Sequence, residues 1–232
     1  MVNISVGFTV MGVIAVLGNL QAVNCWFKSS NPKFPGTGYK IDQGWEKVTY
    51  GSNIKISDVE NTVRLCLSGV HYSTGSKQKA ITGSKDFTFS NTYFVVMPSK
   101  NEVFERGMGV QCGSTIRLKS SDNDHFLHSH KNYNSPLSGN QEVSGFSGQD
   151  SGDDWVIECL NPENSNKVTD GFWMREMPVK LKHKVTEKYL QVLTNKGYGH
   201  PISGHYEASC GSGSDKSSLF IATEGFFFNF QK

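Results

Sequence analysis

Short runs of alternating apolar and polar residues, separated by turn residues, recur along most of the chain. Ile116-Arg-Leu118 alternates with period two, which is typical of a half-buried β-strand. A run at Phe126-Leu-His128, a segment around Val143 and a run at Trp155-Val-Ile157 predict three further short strands, with Ser, Gly and Asn between them. Four such strands cannot bury their apolar face alone, so the pattern predicts that this unit packs against others.

Two related units flank the central one. Val48-Thr-Tyr-Gly-Ser-Asn-Ile-Lys-Ile56 is similar to Val110-Gln-Cys-Gly-Ser-Thr-Ile-Arg-Leu118, which lies 62 residues further along. A third, weaker copy begins at Val179-Lys-Leu181, 63 residues after Ile116. One aromatic residue stands at the equivalent place in the fourth strand of each copy, and these three are the candidate core aromatics: Phe94, Trp155 and Phe220.

Three copies of a four-stranded unit predict an all-β domain, a β-trefoil with pseudo-threefold symmetry. A solenoid would show shorter periods, and a propeller needs at least four blades. The expected domain spans residues 45–226, with repeats at about 45–107, 108–172 and 173–226. The segment from Met174 to Leu193 contains Pro178 and then alternates apolar residues with lysines, which favours a strand over a helix.

The two ends of the chain differ from this pattern. Residues 1–22 are apolar and end in Gln21-Ala22, which predicts a signal peptide cleaved after Ala22, with an uncleaved anchor as the alternative. Residues 23–44 contain Asn31-Pro32 and are expected to form an N-terminal extension. The aromatic run that continues into the C-terminal tail, residues 227–232, is expected to close the barrel against Trp45 or to form a docking segment. No membrane span is expected after signal cleavage.

Charge and motif content exclude several classes of function. Lys and Arg number 23 against 21 Asp and Glu, a formal net charge of +2, which argues against a nucleic-acid partner. Nucleophile elbows, zincin motifs and phosphate loops are absent from the sequence, so we predict no catalytic residue and no cofactor. Asp153 and Asp154 are adjacent and should face opposite sides of a strand, so we interpret them as turn and rim residues.

A group of lysines in the third copy is interpreted as a solvated sheet edge, protected from aggregation, rather than as an anion site. These residues are Lys180, Lys182, Lys184 and Lys188.

Five cysteines are present: Cys25, Cys66, Cys112, Cys159 and Cys210. Behind a signal peptide they would enter an oxidising compartment, and their odd number leaves at least one unpaired. Cys112 opens the first strand of the central unit and Cys159 follows its fourth strand, and these strands should be neighbours where a trefoil unit closes. We therefore predict a disulfide between them. All thiols would be free if the signal-peptide prediction were wrong, and the pairing of the other three is left open.

Histidines make the most conspicuous polar cluster. Alternation places His128 and His130 on one face of a strand, at a spacing that suits a metal or a polar ligand. The spacing supplies no third ligand, so no metal is predicted. The alternative to a ligand pocket is that these histidines bond the backbone of their own turn. The candidate ligand-binding residues are His128, His130, Tyr133, Asn140 and Gln141.

Several stretches resemble the stromal cell-derived factor 2 family, over residues from about 48 to 226. They are Leu127-His-Ser-His130, Ser135-Pro-Leu-Ser-Gly-Asn-Gln-Glu-Val-Ser144, Asp153-Asp-Trp155 and Pro201-Ile-Ser-Gly204. The resemblance implies three MIR repeats folded as a β-trefoil. It also implies a non-catalytic protein of the endoplasmic reticulum lumen, in complex with a lumenal J-domain co-chaperone and heat-shock chaperone, that serves quality control of secretory proteins.

Two departures from that family stand out. Many members end in a retrieval tetrapeptide, which is missing from this sequence, so residence in the endoplasmic reticulum lumen and secretion are both left open. Members also often carry cysteines at the places held by Tyr50 and Phe104, whose joint replacement implies the loss of one bridge.

Two classes of function remain in view, an adaptor that binds polypeptides and a lectin-like module that binds mannose-type or other glycans. Ricin-type trefoil lectins carry a Gln-x-Trp motif in each repeat, whereas this sequence has Asp153-Asp154-Trp155. The lectin hypothesis is therefore the less favoured of the two. An enzyme ranks third because no nucleophile, base and orienting group can be assembled by spacing.

Overall fold

A computed structural model describes residue 38 and residues 40–229. The predicted signal peptide, most of the predicted N-terminal extension, Cys25 and residues 230–232 lie outside the described residues. In the described part of the chain, no helix has both the length and the apolar character needed to cross a membrane.

Within residues 40–229, the regular structure consists of thirteen strands and three short 3-10 helices. The strands are β1 Asn53–Asp58, β2 Arg64–His71, β3 Lys79–Ser84, β4 Tyr93–Pro98, β5 Thr115–Ser120, β6 Phe126–Asn134, β7 Gln141–Phe146, β8 Trp155–Leu160, β9 Lys167–Val168, β10 Val179–His183, β11 Tyr189–Gly197, β12 His205–Gly211 and β13 Phe220–Phe226. A 3-10 helix ends one or two residues before each of β4, β8 and β13. These helices are Ser90–Thr92, Ser151–Asp153 and Lys216–Ser218. The same order of elements thus recurs three times.

Six of these strands close into a barrel. In order around the ring they are β1, β4, β5, β8, β10 and β13, each antiparallel to the next, and β13 pairs back with β1. A closed ring has no free edge. The interpretation of the lysine strand as a sheet edge is therefore wrong, because β10 pairs with both β8 and β13. Lys180 instead donates to the Gly213 carbonyl at 2.6 Å, and Lys182 pairs with Glu187 at 3.0 Å.

The remaining long strands form three hairpins, β2–β3, β6–β7 and β11–β12. Strands β3, β7 and β12 also pair with one another, so the hairpins meet as a triangle over one end of the barrel. A six-stranded barrel capped by three hairpins is the β-trefoil architecture. The prediction of an all-β trefoil is confirmed.

Three backbone hydrogen bonds mark the pseudo-threefold axis at the other end of the barrel. The amide of Val48 donates to the Trp173 carbonyl at 2.9 Å, that of Val110 to the Val48 carbonyl at 2.9 Å, and that of Trp173 to the Val110 carbonyl at 2.7 Å. All three side chains are fully buried. Because each residue lies shortly before the first strand of its unit, the three units begin around one point.

The core forms where the alternating apolar positions of the three units converge. Phe94, Trp155 and Phe220 are fully buried in one cluster of apolar side chains. The indole Nε1 of Trp155 donates to the Leu127 carbonyl at 2.9 Å, so the polar atom of the largest of these side chains is satisfied. Leu127 comes from the hairpin layer, and this bond therefore ties that layer to the barrel.

The residues at one equivalent position near the start of each unit make a different stabilising contact in each of the three units. The equivalent residues are Tyr50, Cys112 and Arg175. Cys112 forms a disulfide with Cys159, which confirms the predicted pair. The Tyr50 ring stacks on Phe104 with centroids 4.3 Å apart, and the Arg175 guanidinium lies 4.0 Å from the centroid of the Phe227 ring. In the first unit, two aromatic rings are thus in contact at this position.

The described part of the aromatic tail is anchored by two residues, Phe227 and Phe228, and the Phe228 amide donates to the Thr49 hydroxyl at 3.4 Å. Phe227 packs against the main core, and it lines a surface depression together with Trp45. Phe226 is 72% exposed and Trp45 is 39% exposed. The two other cysteines within the described residues, Cys66 and Cys210, are buried and unpaired.

Candidate functional site

A cleft of about 400 Å³ opens beside the β6–β7 hairpin, and we call it the histidine cleft. Its lining residues come from all three units: Gln78, His128, Ser129, His130, Asn132, Tyr133, Phe146, Asp150, Ser151, Gly152, His183 and Val185. The cleft is thus assembled only when the three units pack together.

The floor of the cleft is formed by His128, which β6 places almost fully buried beside the second 3-10 helix. Its Nδ1 lies 2.9 Å from an Asp153 carboxylate oxygen and 3.6 Å from an oxygen of Asp150. Since an ionised carboxylate can only accept, Nδ1 carries the proton. A Cβ on Gly152 would clash with the His128 ring, so the absence of a side chain there permits this close approach.

Asp150 and Asp153 also build the turn that carries them. The Asp150 side chain accepts from the Gly152 amide at 2.7 Å, and the Asp150 amide donates to Asp153 at 3.0 Å. This reciprocal pair is a capping box around the helix Ser151–Asp153. The pattern Asp-x-x-Asp in the sequence is therefore a local turn signal, which our sequence analysis missed.

Beneath the cleft, Arg117 binds both neighbouring aspartates. Its Nε lies 2.7 Å from Asp154 and its Nη1 lies 3.7 Å from Asp153, while Nη2 donates to the Asp150 carbonyl at 2.6 Å. Asp153 is fully buried and Asp154 is 7% exposed, so their interpretation as rim residues is wrong. The two carboxylates converge because Asp153 ends a 3-10 helix instead of lying in the strand.

The mouth of the cleft is aromatic. The His130 ring lies edge-on 5.4 Å from His128 and 4.7 Å from Tyr133, and Tyr133 is 39% exposed. Burial, together with the nearby His128, lowers the pKa of His130. His130 therefore favours the neutral form, in which one ring nitrogen donates and the other accepts. Its Nδ1 accepts from the Asn132 amide at 3.3 Å, so Nε2 carries the proton. The mouth offers an exposed ring face and an imidazole donor side by side.

A third histidine, His183, enters the cleft from the third unit and begins a buried chain of hydrogen bonds. Its Nε2 donates to the Gly152 carbonyl at 3.1 Å, and its Nδ1 lies 2.7 Å from the Thr186 hydroxyl. Thr186 accepts from the Gln141 amide at 2.9 Å, and Gln141 also donates to the Ser129 hydroxyl at 2.8 Å. Burial lowers the pKa of His183 to about 4, although its bond to the Gly152 carbonyl opposes this shift.

The predicted ligand residues do not all reach the cleft. His128, His130 and Tyr133 line it. Gln141 lies behind it, buried and committed to the chain that leads to His183. Asn140 lies in the turn between β6 and β7, where its carbonyl accepts from the Ser135 amide at 2.7 Å. Asp150, Phe146 and His183 were missed as cleft residues, since no spacing in the sequence relates them to His128.

Three ligand atoms of the cleft could surround a metal ion. The Nδ1 of His128 and carboxylate oxygens of Asp150 and Asp153 lie within 4.8 Å of one another. Each of these atoms already has a partner, and the Arg117 guanidinium lies 3.7 Å from Asp153. The arrangement is accounted for by an internal network of ion pairs and hydrogen bonds, in which buried charges compensate one another.

The corresponding depression of the third unit has different chemistry. It has a volume of about 350 Å³ and carries Leu193 at the position equivalent to His130. In the first unit, Cys66 and Ser68 stand at the positions of His128 and His130. The paired histidines of this strand therefore occur in one of the three units.

Comparison with known proteins identifies close relatives. Comparison with protein-family profiles finds no match. Stromal cell-derived factor 2 of Homo sapiens is 38% identical over 183 residues, which cover 78% of this chain and 82% of that protein. The crystal structure of the SDF2-like protein from Arabidopsis thaliana is 32% identical and superposes with a TM-score of 0.72, covering 80% of this chain and 99% of that one.

A more distant structure shares the fold. The S. cerevisiae protein O-mannosyltransferase Pmt1–Pmt2 complex matches at 22% identity and a TM-score of 0.66, over 85% of this chain and 28% of that one. The likeness at that identity extends to the fold alone. The identity and coverage shared with the human and plant proteins show that the chain belongs to the stromal cell-derived factor 2 family.

Proposed function

We propose that this chain is a non-enzymatic recognition protein of the secretory pathway that acts as an adaptor in a chaperone and quality-control complex of the endoplasmic reticulum. Its partners would be a lumenal J-domain co-chaperone and heat-shock chaperone, or secretory client proteins. Membership of the stromal cell-derived factor 2 family supports this role. The Cys112–Cys159 disulfide fits an oxidising compartment such as that lumen.

The non-catalytic part of the proposal rests on the burial and ion pairing of Asp153 and Asp154. An acid–base pair must present carboxyl groups to a substrate. Asp153 and Asp154 are instead buried and held by Arg117, so they stabilise the turn beneath the cleft. The cleft therefore has walls suited to recognition, and its buried charges are already neutralised.

A pull-down from lumenal extract tests the adaptor role. The tagged full-length protein should recover a J-domain protein, and free mannose should not displace it. A bait in which Tyr133→Ala and His130→Ala are combined shows whether the histidine cleft contributes, because both side chains lie at its mouth. The control bait is a tagged, disulfide-bonded protein of unrelated fold. If the wild-type bait enriches no lumenal chaperone over this control, the adaptor proposal is wrong.

Location is tested separately. The full-length protein should co-localise with a lumenal marker of the endoplasmic reticulum or appear in the medium. A cytosolic distribution of the protein, with its disulfide reduced, would contradict the secretory assignment.

The geometry of the cleft favours a second candidate, a lectin-like function. Sugars present apolar faces that pack on aromatic rings and hydroxyl groups that need donors and acceptors. The exposed Tyr133 ring offers a surface on which an apolar sugar face can pack. His130 offers a hydrogen-bond donor to the hydroxyl groups, and the Asp150 side chain, which is 58% exposed, offers an acceptor. A mannose-type glycan is the ligand we would test first.

A glycan array distinguishes this candidate from the adaptor. Saturable binding that is lost in Tyr133→Ala and His130→Ala, but kept in Ser217→Ala, would support it, because Ser217 lines the equivalent depression of the third unit. Equal binding by all three variants would place any sugar elsewhere and remove the cleft from consideration.

A further inference from the structure

The histidine cleft carries an excess of negative charge at its rim. The turn beneath it holds the carboxylates of Asp150, Asp153 and Asp154 against the guanidinium of Arg117. Arg117 pairs with the carboxylates of Asp153 and Asp154, whereas its contact with Asp150 is to the main-chain carbonyl. The Asp150 side chain is 58% exposed and lines the cleft, so its charge faces a ligand that enters. A concave surface with an excess of one sign of charge attracts ligands of the other sign.

One carboxylate oxygen of Asp150 is available to a ligand. The Oδ1 atom accepts from the Gly152 amide at 2.7 Å and lies 3.6 Å from Nδ1 of His128, which is already bonded to Asp153. Within the described part of the chain, the Oδ2 atom makes no hydrogen bond or ion pair. An exposed carboxylate oxygen without a partner is an acceptor for a charged donor.

The lining of the cleft brings little positive charge to this carboxylate. No Lys or Arg side chain is among the described lining residues, and Lys100, which donates to the Gln149 carbonyl at 3.1 Å, lies outside them. Burial lowers the pKa of His183 to about 4 and, together with the nearby His128, lowers the pKa of His130. These two imidazoles therefore favour the neutral form at neutral pH, and the cleft favours a cation supplied by a ligand.

Aromatic rings line the same cleft. Tyr133 is 39% exposed at the mouth, and its ring lies edge-on 4.7 Å from the His130 ring. The Phe146 ring lies 4.7 Å from the His128 ring, and a Cβ on Gly148 would clash with it. The negative face of an aromatic ring attracts a cation, and the attraction is stronger where water is excluded. Rings and a carboxylate together are the features that bind an ammonium or guanidinium group.

The surrounding groups favour a guanidinium that belongs to a polypeptide. A guanidinium stacks flat on an aromatic ring and donates in a planar fork to a carboxylate. Val185 enters the cleft from the third unit and is 57% exposed, so it can pack against the methylene stem of such a side chain. The Nε2 proton of His130 adds one donor, which a main-chain carbonyl beside that side chain can accept. An arginine within a polypeptide has all of these groups.

The corresponding depression of the third unit provides an internal comparison. Asp215 caps its 3-10 helix as Asp150 does in the cleft, since its side chain accepts from the Ser217 amide at 2.9 Å. Lys216 lines that depression, and none of its described lining residues is aromatic. An acidic cap is therefore common to the two units, whereas the histidine cleft combines this cap with rings and lacks the lysine.

We propose that the histidine cleft binds an arginine side chain of a polypeptide partner, whose guanidinium stacks on the Tyr133 ring and donates to Asp150. The inference rests on the proposed adaptor function for the class of partner and deepens it by naming the side chain that this surface recognises. A mannose-type glycan is the competing occupant of the same cleft.

Two capped pentapeptides test this assignment, with glycine and serine residues flanking a central arginine or its uncharged isostere citrulline. Titration of the full-length ¹⁵N-labelled protein with the arginine peptide should shift the amide signals of Asn132, Ser151 and Gly152 saturably. The citrulline peptide should bind about tenfold more weakly, because it lacks the charge that attracts both the ring and the carboxylate.

Two variants locate the effect in the cleft. Asp150→Asn removes the charge and should weaken binding of the arginine peptide by about two- to fivefold, with no change for the citrulline peptide. Tyr133→Ala removes the exposed ring and should also weaken binding of the arginine peptide by about two- to fivefold. Asp215→Asn, the matched change in the third unit, should leave both affinities unchanged.

Urea denaturation separates binding from folding in these variants. Asparagine keeps an oxygen that can accept from the Gly152 amide, and it is as good an N-cap as aspartate. The free energy of unfolding of Asp150→Asn should therefore stay close to that of the wild type. A purely structural role for Asp150 would not weaken binding of the arginine peptide while stability is kept.

The inference is wrong if the two peptides bind equally well, or if Asp150→Asn binds the arginine peptide as tightly as the wild type does. It is also wrong if a mannose-type glycan binds, this binding is lost in Tyr133→Ala, and the arginine peptide does not bind. The pull-down judges the adaptor proposal separately. Chaperone recovery without a preference for arginine over citrulline removes only the assignment of the cleft, and an arginine preference without chaperone recovery removes only the adaptor role.

Discussion

Replacing His183 with glutamine should flatten the acid side of the pH–stability profile. His183 is fully buried and its ring lies 5.0 Å from the Trp155 ring. Its Nε2 donates to the Gly152 carbonyl, and its Nδ1 lies beside the Thr186 hydroxyl, so the neutral ring fits both partners. Glutamine retains one donor and one acceptor but does not titrate.

The magnitude follows from the pKa of His183, which burial lowers to about 4 in the folded protein. The unfolded chain, whose histidine pKa is about 6.5, binds the proton first as the pH falls. Stability is therefore complete above about pH 6.5, falls progressively towards about pH 4, and loses nothing more from this group below that. The whole effect is about 3 kcal/mol, of which about 2 kcal/mol is lost between pH 7 and pH 5.

Urea denaturation at a series of pH values between 7 and 5 measures this effect. The free energy of unfolding of the wild type should fall more steeply than that of His183→Gln. Burial also lowers the pKa of other histidines, including His125 and His205, but these are present in both proteins and cancel in the comparison. His71→Gln is the matched control, since His71 is exposed. Parallel profiles for the wild type and His183→Gln would refute the assignment.

Three further changes test the core, the disulfide and the buried ion pairs through the same denaturation assay. Trp155→Ala removes a fully buried indole and should cost about 3–5 kcal/mol, and a loss below about 1 kcal/mol would contradict its place in the core. Joint replacement of Cys112 and Cys159 by serine opens a loop with a sequence separation of 47 and should cost up to about 4 kcal/mol, whereas an unchanged urea midpoint would show that the bridge adds nothing. Arg117→Met leaves buried carboxylates unpaired and should cost about 3–5 kcal/mol at neutral pH, a prediction that wild-type stability in this variant would disprove.

The amino-acid sequence by itself determined the architecture. Period-two alternation shows which residues of a strand face inwards, and a pattern repeated three times requires units that share one core. The same local reasoning placed Cys112 beside Cys159, because the first and last strands of a unit meet where it closes. It also placed His128 and His130 on one side of β6, where both line the cleft.

Only the tertiary structure decided what covers the outward-facing positions. Alternation marks Arg117 as polar and outward, yet it is 3% exposed because the turn at Asp150–Asp154 folds over it. The lysines of β10 appeared to form an edge, but a strand's neighbours depend on how the barrel closes.

His183 joins the cleft from another unit, 55 residues after His128 in the chain, and no local pattern encodes that approach. The period-two alternation of a strand predicts only which of its own residues lie on each of its two faces. The charges and rings brought against those faces come from distant segments, and their positions follow from packing of the whole domain.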